Sequence, residues 1–214
     1  LLQNKRILVA ATGSIAAIKT PLLVSELIKT GAEVRCVITP SATNLISPLS
    51  LSTLSRHKCY QDEDQWDTNQ TKPLHIDLAE WAEIIIIAPL SATSLAKWVH
   101  GIGDGLLASI LLASEVPVIA APAMNTAMWE NSSIKINWAE ISNRNKVIGL
   151  DPSSGLLACD RIGEGKMINT EIIQLAIESA LIRKNEKNHL VVSFGKKASR
   201  WIYLLILGLA IYSS

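Results

Sequence analysis

The run Ile84-Ile85-Ile86-Ile87-Ala88 constrains what this chain can fold into more than any other segment. It is almost purely β-branched, which favours an extended backbone. An unbroken apolar run of this kind suits a strand covered on both faces. Further apolar runs recur at 6–11, 34–39, 116–121 and 147–150. Between them lie stretches with helical spacing at 15–29, 41–54, 91–100, 104–114, 134–143 and 170–184. Gly31 reads as the stop after the first helix, and Thr170 or Asn169 as the cap of the last. Strands alternating with helices imply an α/β fold, a Rossmann-like parallel sheet flanked by helices. The polar stretch 56–73 is expected to be the long loop of the body.

A chain of 214 residues can bury one sizeable core. Twenty basic residues against nineteen acidic ones leave a formal charge of +1, which argues against nucleic-acid binding through a basic surface. Cys36, Cys59 and Cys159 are an odd number without a CxxC pair. That usage disfavours a disulfide framework or a zinc site and fits a reducing cytoplasm. A cleaved signal peptide is not expected, because the first apolar run is only strand-length.

The first βα turn, Gly13-Ser14-Ile15-Ala16, lacks the remaining glycines of a dinucleotide fingerprint and is not a P-loop. What it offers is a hydroxyl at a helix start, either a plain cap or a place for an anion. Thr39 and Ser91 are further hydroxyls at strand ends. Three such turns on one rim suit a mononucleotide phosphate better than any one of them does. After the run 116–121 comes Pro122-Ala123-Met124-Asn125-Thr126-Ala127-Met128-Trp129. Asn125 there carries an amide donor and an amide acceptor within a soft apolar surface. Taken singly, Asn125 reads equally as a helix cap. His75 stands beside the polar loop as a candidate acid–base group, whereas His57, His100 and His189 read as surface residues. Cys159 lies in a segment made pliable by Gly155, Gly163 and Gly165, a candidate lid, with Asp160, Arg161 and Lys166 near its thiol.

Five of these segments, in order, resemble the flavin-dependent cysteine decarboxylases. The octet from Pro122 resembles the family's PxMNxxMW signature, and Gly13-Ser14-Ile15-Ala16 its G-S-I/V-A flavin loop. The stretch from Pro89 to Lys97 is similar to P-L/A-S-A-N-T-L-A-K, with Gly101, Asp104, Leu106 and Leu107 continuing the pattern. Leu74-His75-Ile76-Asp77-Leu78 resembles the H-I-x-L motif, and the stretch from Ala158 to Met167 the flap A-C-G-x-x-G-x-G-R-M. The resemblance covers about residues 5–185 and implies a flavodoxin-like flavoprotein with bound FMN. It implies His75 and Cys159 as catalytic residues and Asn125, Met128 and Lys166 as substrate-binding ones. Gly13, Ser14, Thr39, Ser91, Ala92 and Met124 would hold the FMN. Thr93 and Ser94 replace Asn and Thr of the pattern, Asp160 replaces a Gly, and Lys166 an Arg. Thr93 offers no amide donor, and Lys166 keeps a charge without the forked geometry.

Within the family, the chain resembles the decarboxylase half of the bifunctional enzyme of coenzyme A synthesis. That implies FMN-dependent decarboxylation of 4′-phosphopantothenoyl-cysteine to 4′-phosphopantetheine, a small-molecule substrate containing cysteine. The alternatives are a peptidyl-cysteine decarboxylase, a non-catalytic flavin-binding regulatory or interaction protein, and a damaged, inactive homologue. The resemblance also implies a homo-oligomer, a trimer or a trimer-based dodecamer. Residues 1–187 are expected to form the flavoprotein domain. Residues 188–214 form an atypical tail, read as the start of a truncated synthetase domain. Its apolar run 201–212, flanked by Lys196, Lys197 and Arg200, leaves a membrane anchor as the lesser reading. A spanning helix needs about 20 residues, and this run has about a dozen.

Overall fold

The computed structural model describes residues 2–156 and 162–185. Its strands are β1 (Arg6–Ala11), β2 (Glu33–Ile38), β3 (Cys59–Tyr60), β4 (Ile84–Leu90), β5 (Val118–Pro122) and β6 (Val147–Gly149). They form one sheet in the order β3-β2-β1-β4-β5-β6, every neighbouring pair parallel. β7 (Ser153–Leu156) and β8 (Ile162–Lys166) pair antiparallel as a separate hairpin. The helices are α1 (Thr20–Lys29), α2 (Pro40–Thr43), α3 (Pro48–Ser55), α4 (Leu74–Trp81) and α5 (Ala92–Val99). They continue with α6 (Leu106–Ala113), α7 (Thr126–Trp129), α8 (Ser132–Ser142) and α9 (Thr170–Asn185).

The period-two geometry of the strands divides the core into two layers. Ile7, Val9, Ile38, Ile84, Ile86 and Ile119 face a layer with Leu23 and Leu27 of α1, Leu51 of α3, and Ile173 and Ile177 of α9. Leu8, Ala10, Ile85, Ile87 and Ala120 face Leu78 of α4, Leu95 of α5, Ile110 of α6 and Ile141 of α8. Every residue of β4 is buried, as a strand with helices on both sides requires. The parallel α/β sheet read from the sequence is therefore the architecture. Its strand order reverses between β1 and β4, and the crevice outside the carboxyl ends of those two strands is where such sheets take ligands.

Two expected helices are broken, each by a proline. Ile15–Lys19 is a 3-10 turn, and α1 begins only at Thr20 with Pro21 in its first turn. Proline has no N–H to donate and its ring clashes with the carbonyl four residues back, so one α-helix cannot run through 15–29. Likewise Pro48 divides 41–54 into α2 and α3, with the Ser47 hydroxyl accepting from Leu49 N at 3.2 Å. The supposed loop 56–73 contains β3 and a 3-10 turn at Asp62–Trp66. Asp62 accepts from Leu106 N at 2.9 Å and so caps α6 across 44 residues of sequence. Burial raises the pKa of that carboxyl, and Glu63 and Asp104 add to the rise, against the lowering bond from Leu106.

Candidate functional site

Because the sheet is parallel, the residues following β1, β2, β4 and β5 emerge on one rim. After β1, Thr12 is fully buried and uses each of its polar atoms. Its N–H and hydroxyl both donate to Pro89 O, at 3.3 and 2.7 Å. The same hydroxyl accepts from Ser91 N at 2.7 Å, and Thr12 O accepts from Ser14 N at 2.7 Å. The Ser14 hydroxyl accepts from Ala16 N at 3.4 Å, so it caps the 3-10 turn. Gly13 lies against α2: a Cβ there would stand 2.6 Å from Ser41 Cβ. After β2, Thr39 precedes α2, and its buried hydroxyl oxygen has no hydrogen-bond partner among the described residues.

After β4, Ser91 caps α5: its hydroxyl accepts from Ser94 N at 3.3 Å and lies 3.2 Å from the Ser94 hydroxyl. Ser94, which departs from the family pattern, is thus engaged in the cap. Ala92 opens the helix. After β5, Ala123 N donates to Leu90 O at 3.1 Å, which keeps the β4 and β5 ends together. Met124 is buried. Asn125 caps α7 by accepting from Ala127 N at 2.8 Å, and its residue is half-buried. Met128 is 47% exposed beside it, whereas Trp129 turns into the core, edge-on to Trp138 at 5.8 Å.

The glycine-rich segment that the sequence marks as a lid is the hairpin β7–β8, and it sits on this turn. Met124 N donates to Gly165 O at 3.0 Å. Gly165 has φ +136°, and a Cβ on it would come within 2.3 Å of Met124 O. A Cβ on Gly163 would meet the Thr126 hydroxyl at 2.5 Å. Both positions therefore need glycine for close approach. Lys166 ends β8 with its ammonium beside Gly155, 3.6 Å from where a Cβ there would lie. Cys159, Asp160 and Arg161 lie outside the described residues.

His75 occupies the first turn of α4 and not a loop. It lines a pocket of about 370 Å³ together with Trp66, Gln70, Lys72 and Pro73. The helix before β4 starts on the carboxyl side of the sheet, so His75 shares the rim with Ser14 and Ser91. The chief neighbours of α4 are α6 and the 62–66 turn. Sequence reasoning passed over Thr12. Its signal was a polar residue directly continuing an apolar strand, in a position the sheet was bound to bury.

Three kinds of likeness to known proteins bear on this rim. A family model described as Flavoprotein matches residues 1–181. The Streptococcus mutans protein named probable phosphopantothenoylcysteine decarboxylase is 38% identical over 83% of this chain and 99% of its own length. The coenzyme A biosynthesis bifunctional protein of Bacillus subtilis is 35% identical over 91% of this chain. The chain spans about half of that relative, 48% of its length. Among solved structures, a Cys-to-Ser mutant of PPC decarboxylase complexed with pantothenoylaminoethenethiol superposes with a TM-score of 0.76 at 35% identity. It covers 83% of this chain and 98% of that one. The FMN binding protein AtHal3 gives a TM-score of 0.74 at 36% identity, covering 83% and 96%.

Proposed function

Because this chain belongs to the flavoprotein family, we propose that it binds FMN on the β1–β4 rim and decarboxylates 4′-phosphopantothenoyl-cysteine to 4′-phosphopantetheine in coenzyme A biosynthesis. The observation that carries this reading is the convergence of Ser14, Thr39, Ser91, Met124 and Asn125 on one rim, with a hairpin seated over the last two. The residues present fit the cofactor. The buried Thr39 hydroxyl has no partner among the described residues, and a polar group on a ligand would satisfy it. Gly13, Ser14, Ser91 and Ala92 supply backbone and hydroxyl groups at the switch point, and Met124 an apolar surface. FMN, when bound, supplies two-electron oxidation of the cysteinyl side chain and its later reversal.

The chain's own residues bind, orient and hold protons. Asn125, whose side-chain oxygen accepts from Ala127 N, presents a polar amide at the turn after β5, where a substrate carboxylate or amide would be oriented. Lys166, at the hairpin's base, offers a cation of the right sign for the carboxylate. His75 takes or positions the thiol proton, and Cys159 returns a proton late in turnover. Met128 lines the substrate. The relatives' names support this substrate, since both the streptococcal protein and the matched complex concern phosphopantothenoylcysteine decarboxylation.

We further infer a homo-oligomer, a trimer or dodecamer. Ile15, Ile18 and Leu22 are more than half exposed directly after Ser14, apolar surface that assembly would cover. Cys36 and Cys59 sit opposite each other on parallel strands as free thiols, which fits a reducing cytoplasm. No helix among the described residues is long and apolar enough to cross a membrane. Residues 188–214 lie outside the described residues.

The test is the visible spectrum of the dialysed protein, followed by carbon dioxide release from phosphopantothenoyl-cysteine and from a peptide ending in cysteine. Flavin bands with release from the small substrate alone are the expected result. Release from the peptide alone would transfer the activity to peptidyl-cysteine. A protein that stays colourless after FMN is added would overturn the reading.

A further inference from the structure

Two fully buried threonine hydroxyls tie the β1 loop to the end of β4. Thr20 donates to Ala88 O at 2.7 Å, while Thr12 donates to Pro89 O and accepts from Ser91 N. The two differ in what they hold. Thr20 fixes only a strand carbonyl. Thr12 reaches Ser14 through its carbonyl and Ser91 through its hydroxyl, so one residue sets the spacing of the two capping serines. Without that hydroxyl, the buried Ser91 N–H would lose its acceptor, and Ser91 its tie to the residue that holds Ser14.

On the functional reading above, we propose that Thr12 is the positioning residue of the flavin site. It holds Ser14 and Ser91 in their ligand-bearing arrangement before any ligand arrives, without itself touching the ligand. All of its hydrogen-bonding groups are spent within the protein, so a direct contact is not its role. Pre-organisation of this kind strengthens binding by removing the ordering cost at the moment of association.

Three substitutions separate positioning from simple stability. Thr12→Val keeps the β-branched shape and removes the hydroxyl. Thr12→Ser restores a hydroxyl, and Thr20→Val breaks the sister bond without touching Ser91. The readouts are the FMN dissociation constant of the flavin-stripped protein, from quenching of free FMN fluorescence, and amide exchange at Ser91. Thr12→Val is expected to weaken FMN at least about tenfold, the scale of one buried hydrogen bond left unmade, and to speed Ser91 exchange. Thr12→Ser should recover both, and Thr20→Val should lower the melting temperature with neither effect. FMN affinity of Thr12→Val within twofold of the wild type overturns the proposal, whatever exchange does.

Should Thr12→Val fail to fold, the wild type alone still decides. A Ser91 amide already protected without flavin supports the proposal, and one that exchanges freely until FMN is bound overturns it. A wild type that takes up no FMN overturns the functional reading and the proposal together. Wild-type binding with an unaltered Thr12→Val affinity overturns the proposal alone.

Discussion

At the scale of single residues, the same side chain serves the fold and the site. Asn125 caps α7 with its oxygen, so replacing it removes two functions unless the replacement keeps the acceptor. Asn125→Asp does keep it, but puts a carboxylate where the amide donor was. The cap should persist, while decarboxylation should fall at least about 10–100-fold, the range for one hydrogen bond to a charged group. Asn125→Ala should in addition cost about 1 kcal/mol of stability through the lost cap. Steady-state rates set beside thermal melts check both halves, and equal melts with equal rates would remove Asn125 from the site. The buried thiols make a second residue-level case. Burial pushes the Cys59 thiol up to about 12 and Cys36 still further, with Cys59 beside Cys36 adding to its rise. In a Cys159→Ser background, the native protein should release almost no chromophore from a thiol reagent at pH 8. Two equivalents should appear in denaturant.

Among the elements, the hairpin β7–β8 depends on glycine at its seat. An alanine at 165 would be strained at φ +136° and would press on the Met124 carbonyl. Because the obstacle is backbone, the hairpin itself has to move. Gly165→Ala should therefore leave the melting temperature of the sheet nearly unchanged and cut substrate turnover. It should also raise proteolytic cleavage between 155 and 166 severalfold, measured by limited proteolysis of the flavin-loaded protein. Unchanged cleavage would mean that the hairpin's seat on Met124 is not what holds it.

For the molecule as a whole, the amino edge of the sheet carries an electrostatic tie. Glu83, just before β4, accepts from Arg6 N at 3.0 Å and from Lys5 Nζ at 3.1 Å. Burial alone would raise its carboxyl pKa, but these two bonds and the Lys5 and Arg6 charges outweigh burial and leave it lowered. A group bound less readily by protons in the folded state stabilises the fold above its unfolded pKa. That contribution disappears as pH falls through the depressed folded value. Glu83→Gln should thus cost about 1 kcal/mol near pH 7 and lose less stability than the wild type on acidification below about pH 4. Urea melts at several pH values measure it, and parallel curves for the two proteins would assign the pH dependence to other groups.

What the sequence determined by itself was the layered sheet and its chemistry-bearing turns. An all-apolar β-branched run has only one comfortable setting, between two helical layers, and parallel strands must deliver their following residues to one rim. Hence Ser14, Thr39, Ser91 and Asn125 could be read together from their places after strands. The helix breaks at Pro21 and Pro48 were also legible in principle, since proline's missing N–H is a local property. What only the tertiary structure decided was which groups meet across long stretches of chain. Thr12 and Ser91 are 79 residues apart, as Asp62 and Leu106 are 44 apart, and no local pattern encodes such partners. The need for glycine at 163 and 165 likewise arises from Thr126 and Met124, which the chain's return brings alongside. Periodicity reports how a segment buries its own faces, whereas a hydrogen bond between loops depends on where the packed sheet has placed both ends.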